Sequence, residues 1–144
     1  MDGNDFKSIL PHGPSMVALD QVLERGESSI IAAAVAGKLK ISEWHSGARA
    51  LIPAWSCIEL IAQCAALGNL TKDAGAAQRS GVVARVRNLE MNETWIERGT
   101  KLKIAVQWES KVAGVFNGKA LVTDFNTEKC LVTGEVLIVE TRRT

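Results

Sequence analysis

Apolar and polar positions divide the chain into a strand-rich start, one apolar helix and a strand-rich end. Met16 to Leu23 reads as a strand, closed by the polar run Glu24-Arg25-Gly26-Glu27, and Ser29 to Val35 follows as its hairpin partner. The β-branched residues favour strands, although Ala32, Ala33 and Ala34 weaken that local preference. From Pro53 the period lengthens, with Ile58, Ile61, Ala62, Ala65 and Leu67 recurring near helical spacing. Proline suits a first helical turn because it lacks an N–H that would go unbonded there, and Gly68-Asn69 makes a good stop. Thr71 to Ser80 is a polar loop, after which the period drops to two.

Gly81 to Leu89 is a strand, and Leu102, Ile104, Val106 and Trp108 alternate with Lys101, Lys103 and Gln107 as in a half-buried one. Val115 to Thr123, a turn through Asp124 to Lys129, and Cys130 to Glu140 complete a hairpin. Within it, Asn117-Gly118 is a strong two-residue turn signal that local chemistry alone would use to break the strand. The outline is two strands, a long apolar helix and three or four antiparallel strands. One helix cannot cover both faces of such a sheet, but a curved sheet wrapped around the helix could bury it.

Composition narrows the class. A chain of 144 residues fits a single domain, 1–144, and 47% apolar with 23% charged residues excludes disorder. Lys plus Arg (17) nearly cancel Asp plus Glu (16), so net charge gives no reason to expect nucleic acid as a partner. The acidic, polar start lacks the basic and apolar regions of a secretory leader, so a cytoplasmic protein is expected. Ala50 to Leu70 is the most apolar tract, but Pro53, Ser56, Glu59 and Gln63 interrupt it, which suits a core helix and not a membrane span. Cys57, Cys64 and Cys130 are odd in number and lack a C-x-x-C pair, and with two distant histidines they form no zinc pattern. Small buried thiols in a reducing compartment are expected.

Candidate chemistry concentrates between His45 and Gln63. A histidine in a polar loop precedes a helix start, and a carboxylate, Glu59, follows two turns into the apolar helix. Burying Glu59 among Ile58, Leu60 and Ile61 would disfavour its charged form, and a protonated carboxyl can serve as a general acid. A neutral imidazole can act as base, and amides around Ala54 and Trp55 can polarise a thioester carbonyl. Such a set suits proton abstraction beside a carbonyl with loss of a β-hydroxyl. Spacing alone equally fits Glu59 in a helix-face ion pair and His45 as an ordinary loop residue.

Two motifs carry a family resemblance. Leu10-Pro11-His12, continuing without a gap to Asp20-Gln21-Val22-Leu23-Glu24, resembles the L-P-H-R-x-P-x-x-x-x-D-R-V opening of the 3-hydroxyacyl-acyl-carrier-protein dehydratases of the hot-dog fold. The segment His45 to Gln63 is similar to their G-H-F-P-G-R-P-I-M-P-G-x-x-x-x-E-A-x-A-Q, which places the family's catalytic histidine on His45 and its glutamate on Glu59. Arg49, Pro53, Ala62 and Gln63 also fall on family residues. Trp44 and Ala54 stand where the family has glycines, and Leu-Ile-Pro-Ala-Trp-x-x-Ile-Glu-x-x-Ala-Gln looks most like a divergent branch found beside polyene- and polyketide-type lipid synthases.

The resemblance implies an α+β hot-dog domain, a long central helix wrapped by a curved antiparallel sheet. It implies a dimer whose sites each take the histidine from one chain and the glutamate from the other. It also implies a continuous strand through Asn117-Gly118. The implied activity is that of a hydro-lyase working on a thioester carried by the phosphopantetheine arm of an acyl carrier protein, in fatty-acid, polyene or polyketide-type synthesis, without metal or redox cofactor. His45 removes the C2 proton, Glu59 protonates the departing 3-hydroxyl, the amide of Ala54 or its neighbour steadies the oxygen, and Gln63 either orients Glu59 or bonds across the dimer. His12 is structural in this family. Arg49, Arg79, Arg85 and Arg87 are candidates to meet an acidic carrier, or solvated surface. Two other classes stay open, a hot-dog thioesterase and a weakly active partner in a heterodimeric dehydratase, besides a homodimer or higher oligomer.

Overall fold

A computed structural model describes residues 19–37, 51–70 and 79–142. Strands β1 (Leu19–Arg25), β2 (Ser29–Val35), β4 (Arg79–Met91), β6 (Lys101–Val112), β7 (Val115–Asp124) and β8 (Cys130–Arg142) form one antiparallel sheet in the order β1-β2-β6-β7-β8-β4. A second, two-stranded sheet pairs β3 (Leu51–Pro53) with β5 (Trp95–Glu97), and a short 3₁₀ turn (Ala54–Ser56) leads into helix α1 (Cys57–Leu70). Among the described residues no helix is long and apolar enough to cross a membrane.

The expected helix-in-sheet arrangement is observed. Inward rows of the sheet, Ile30, Ala32 and Ala34 with Leu102, Ile104 and Val106, then Ala120, Val122, Val132 and Ile138, form the core together with Leu60, Ile61, Cys64 and Leu67 of α1. Helix and sheet approach closely because both surfaces are small. A Cβ on Gly68 would lie 2.9 Å from Ile30 Cγ2, and the fully buried Ala32 and Ala34 belong to that same strand. The alanines that weakened β2 as a strand are therefore what seat the helix against it. At the far end, Arg25 donates to the Leu67 carbonyl at 3.1 Å, a cation at a helix C-terminus whose last carbonyls lack intrahelical donors.

The start of the helix differs from the sequence expectation. The helix does not begin at Pro53, which has φ −65° and ψ 134° and ends a strand. Pairing of Ile52 with Ile96 and Pro53 with Trp95, and donation from the Ala54 amide to the Thr94 carbonyl at 2.9 Å, hold this stretch extended. Helical structure proper starts at Cys57. The Asn117-Gly118 signal is indeed a decoy, since β7 runs through it. The tight two-residue turn lies ahead of β7, joining it to β6 at Ala113 and Gly114, whose φ values of 51° and 79° suit a turn between the paired Val112 and Val115. The first strand expected from Met16 and the loop expected from Thr71 to Ser80 lie partly outside the described residues, which begin at Leu19 and resume at Arg79, already in β4.

Candidate active site

The late start of α1 moves Glu59 from two turns inside the helix to its first turn, beside the electropositive helix end. Gln63, one turn on and fully buried, donates its Nε2–H to Glu59 Oε1 at 3.1 Å. An i, i+4 pair on one helix face thus holds the carboxyl from its buried side. Glu59 itself is half-buried and not enclosed as the sequence suggested. Leu60 and Ile61 are buried, but the neighbouring Ile58 is 40% exposed, because the sheet covers only one side of this end of the helix.

From Gln63 to Gly68 the helix is buried on all sides, whereas its first two turns keep an open strip. Trp55, Ile58, Glu59 and Ala62 follow each other at helical spacing along that strip, so a single carboxylate is set in an apolar face. Leu51 and Trp95, on the paired strands β3 and β5, are 41% and 45% exposed as well. Large apolar side chains gathered on a surface mark a contact site more often than chance exposure.

Ala54 is fully buried, and its amide is already used on Thr94. It therefore holds the strand-to-helix junction together, so its N–H is engaged within the fold. Ser56 Oγ donates to the Pro53 carbonyl at 2.6 Å and closes that turn from inside. His45, His12 and Arg49 lie outside the described residues. Of the other basic candidates, Arg85 and Arg87 are exposed on the sheet edge strand β4, and Arg87 faces Glu135 at 3.4 Å, while nothing is described of the Arg79 side chain. A hollow of about 760 Å³ on the outer face of the sheet, lined by Ile31, Gln107, Lys119, Leu121, Thr133 and Glu135, is separate from Glu59 and shares no residue with its surroundings.

The described thiols behave as small hydrophobes. Burial pushes Cys57 and Cys64 from 9.0 up to about 12, and Cys64 donates weakly to the Ile104 carbonyl at 3.8 Å. Raised in the folded state, the two groups add stability below pH 9.0, where both states hold the neutral thiol, and that contribution fades towards pH 12. A thiol reagent at pH 8 is expected to label the half-buried Cys130 first, and Cys57 and Cys64 only on unfolding; mass spectrometry of the native protein checks this. Prompt labelling of either buried thiol would contradict the packing described.

The short β3–β5 pairing was missed from sequence, because three-residue strands carry no readable period. The only local hint is a Trp-Ile-Glu triplet followed by Gly99.

A family profile described as ApeP-like, ApeP dehydratase, matches residues 4–143. A comparison with curated proteins finds no match. Among solved structures, the dehydratase heterocomplex ApeI:P from Xenorhabdus doucetiae is similar at 19% identity, with a TM-score of 0.79 over 96% of this chain and 91% of that one. Zebra fish thioesterase superfamily member 2 is similar at 12% identity and TM-score 0.68, covering 96% and 94% of the two chains. The PaaI protein of the phenylacetic acid degradation operon of E. coli follows at 9% identity and TM-score 0.63, covering 86% and 80%. At these identities the structural likenesses establish the hot-dog fold.

Proposed function

The chain belongs to the ApeP-like dehydratase family, and on that premise we propose that it removes water from a 3-hydroxyacyl thioester carried on an acyl carrier protein, giving the trans-2-enoyl thioester. The observation that carries this reading is the Glu59 carboxyl in the first turn of α1, held at 3.1 Å by a fully buried amide donor, Gln63. A half-buried carboxyl fixed in direction by Gln63 can reach a substrate hydroxyl. His45 takes the C2 proton as the C2–C3 double bond forms, Glu59 delivers its proton to the C3 hydroxyl, and water leaves. A backbone N–H in the turn after Ala54 donates to the thioester oxygen as negative charge grows on it.

The apolar strip around Glu59 supports assembly with a second hot-dog subunit. Covering Trp55 and Ile58 would remove bulk water from the carboxyl's surroundings. The similarity to a chain of the ApeI:P heterocomplex favours a different hot-dog chain as that subunit over a second copy.

The test is mass spectrometry of a 3-hydroxyacyl thioester on carrier protein, incubated with the chain alone and with a co-expressed hot-dog paralogue. Loss of one water is the expected product, appearing strongly only with the paralogue. Release of free acid would make the chain a thioesterase. Full dehydration by the chain alone would remove the need for a second kind of subunit.

A further inference from the structure

The face of the six-stranded sheet turned away from α1 is less polar than a face turned to water. An antiparallel sheet with one solvated face sets apolar residues inward and polar ones outward. Here the register lines up Ile31, Ala105, Leu121 and Thr133 in one outward row across β2, β6, β7 and β8. Leu121 is 39% exposed, and the hollow of about 760 Å³ lies over this row, bordered by Gln107, Lys119 and Glu135. Further along the same hairpin, Val112, 70% exposed, pairs with Val115 on the same face. Apolar positions gathered in this way on an outer face mark a contact surface.

Charge and polarity both fit a second copy of the chain as the occupant. A face that meets itself brings like charges together, but here the charges beside the apolar row are neutralised within the chain. Lys119 Nζ lies 3.3 Å from Glu109 Oε1, while Glu135 Oε2 lies 3.4 Å from Arg87 Nε and accepts from Asn88 Nδ2 at 2.7 Å. Polarity is matched row by row across β6 and β7: Val112 with Val115, Gln107 with Lys119, Ala105 with Leu121, and Lys103 with Thr123. A two-fold axis parallel to the strands, between β6 and β7, sets each of these residues over its row partner in the second copy. Apolar then meets apolar, polar meets polar, and the small Ala105 leaves room for the second copy's Leu121. Because the hand of sheet twist is fixed, a face turned about such an axis presents a saddle that follows the first. Four strands about 4.8 Å apart, over the length from Val115 to Thr123, outline about 500 Å² in projection. Side-chain relief raises the area each copy removes from water towards the ~800 Å² per partner of a stable complex.

We infer that the outer face of β2, β6, β7 and β8 is an isologous docking surface for a second copy of this chain, with Leu121 of each copy seated over Ala105 of the other. The surface lies across the sheet from α1, so it leaves the strip of Trp55 and Ile58 open to a further subunit. It does not depend on the dehydration proposed above.

The test is sedimentation velocity of the wild type, Leu121→Glu, Ala105→Lys and an equimolar mixture of the two variants. Each variant alone sets an unpaired charge against an apolar surface and is expected to sediment at half the wild-type mass. Neither residue belongs to the core, so the melting temperature is expected to stay near that of the wild type. In the mixture the new carboxylate of one chain meets the new ammonium of the other, while the unaltered Ala105 and Leu121 meet as before. The wild-type mass is expected to return. Wild-type mass in either variant alone, or a mixture that stays at half mass, would overturn the inference, the second outcome by showing that the face takes some other occupant. Amine cross-linking of the unaltered chain reads the same contact without a substitution. Two facing sheets lie about 10 Å apart, so Lys103–Lys103 and Lys119–Lys119 links, which can only join two chains, are expected by peptide mass spectrometry. Absence of both links would equally overturn it.

Discussion

Changing His45 to alanine and Glu59 to glutamine together is expected to slow dehydration by about 10²–10⁴-fold, the usual worth of general acid–base groups. Glutamine keeps the size and planarity of the carboxylate. Gln63, fully buried and 3.1 Å from Glu59 Oε1, can still donate to the carbonyl of the replacement. What is lost is the proton for the departing hydroxyl, so the variant is expected to fold, assemble and bind substrate while failing in the chemical step. A single-turnover assay on a 3-hydroxyacyl thioester, followed by mass spectrometry, reads this directly.

The single variants then report the assembly. If each site joins the histidine of one chain to the glutamate of the other, a homodimer has two equal sites and either change empties both. In a heterodimer each single change empties one site and leaves the other, so activity survives in part and only the double change abolishes it. A double variant that dehydrates at the wild-type rate would show that this pair does no chemistry. The exposed Trp55 and Ile58 beside Glu59 add a second constraint, because a charge such as Ile58→Asp on that strip is expected to weaken assembly before it alters the fold.

The strands were legible wherever alternation ran long enough to define a face. Ser29–Val35 emerges with its boundaries as expected, since its partner β6 pairs along its whole length. The helix was legible as an element but not at its start. Pro53 satisfies two rules at once, a first helical turn and a strand end, and the choice is made by Trp95 and Thr94, some forty residues away. That displacement carried Glu59 into the first turn. The Glu59–Gln63 pairing was readable from i, i+4 spacing, whereas the burial of Glu59 was not, because it depends on what covers the strip of Trp55 and Ile58. The hydrogen bond from Arg98 Nη1 to the Gly37 carbonyl was invisible for a simpler reason, since the two residues lie 61 positions apart and share no local pattern.

Gly118→Ala is expected to be the most damaging single-methyl change in the described sheet, destabilising the protein by about 3 kcal/mol, towards the upper end for overpacking. The sequence offers Gly118 as half of a turn, where glycine would serve a left-handed backbone. Neither Asn117 nor Gly118 has a positive φ, and the strand runs straight through them. The glycine is needed for space. A Cβ there would lie 2.6 Å from the Gln107 carbonyl oxygen and 2.9 Å from Cε3 of Trp108, whose ring meets Phe116 edge-on at 6.0 Å between centroids. A ring can turn aside where packing is loose, but the carbonyl belongs to the β6–β7 ladder, and moving it separates paired strands. Gly114→Ala is the matched control. No atom lies within 4 Å of its would-be Cβ, and its φ of +79° carries only backbone strain, worth about 1–2 kcal/mol. Thermal melts of the two variants should therefore separate, with Gly118→Ala falling by about 10 °C and Gly114→Ala by clearly less. The reverse order would mean that the turn chemistry, and not the close approach of Trp108 and Gln107, is what the Asn-Gly pair supplies.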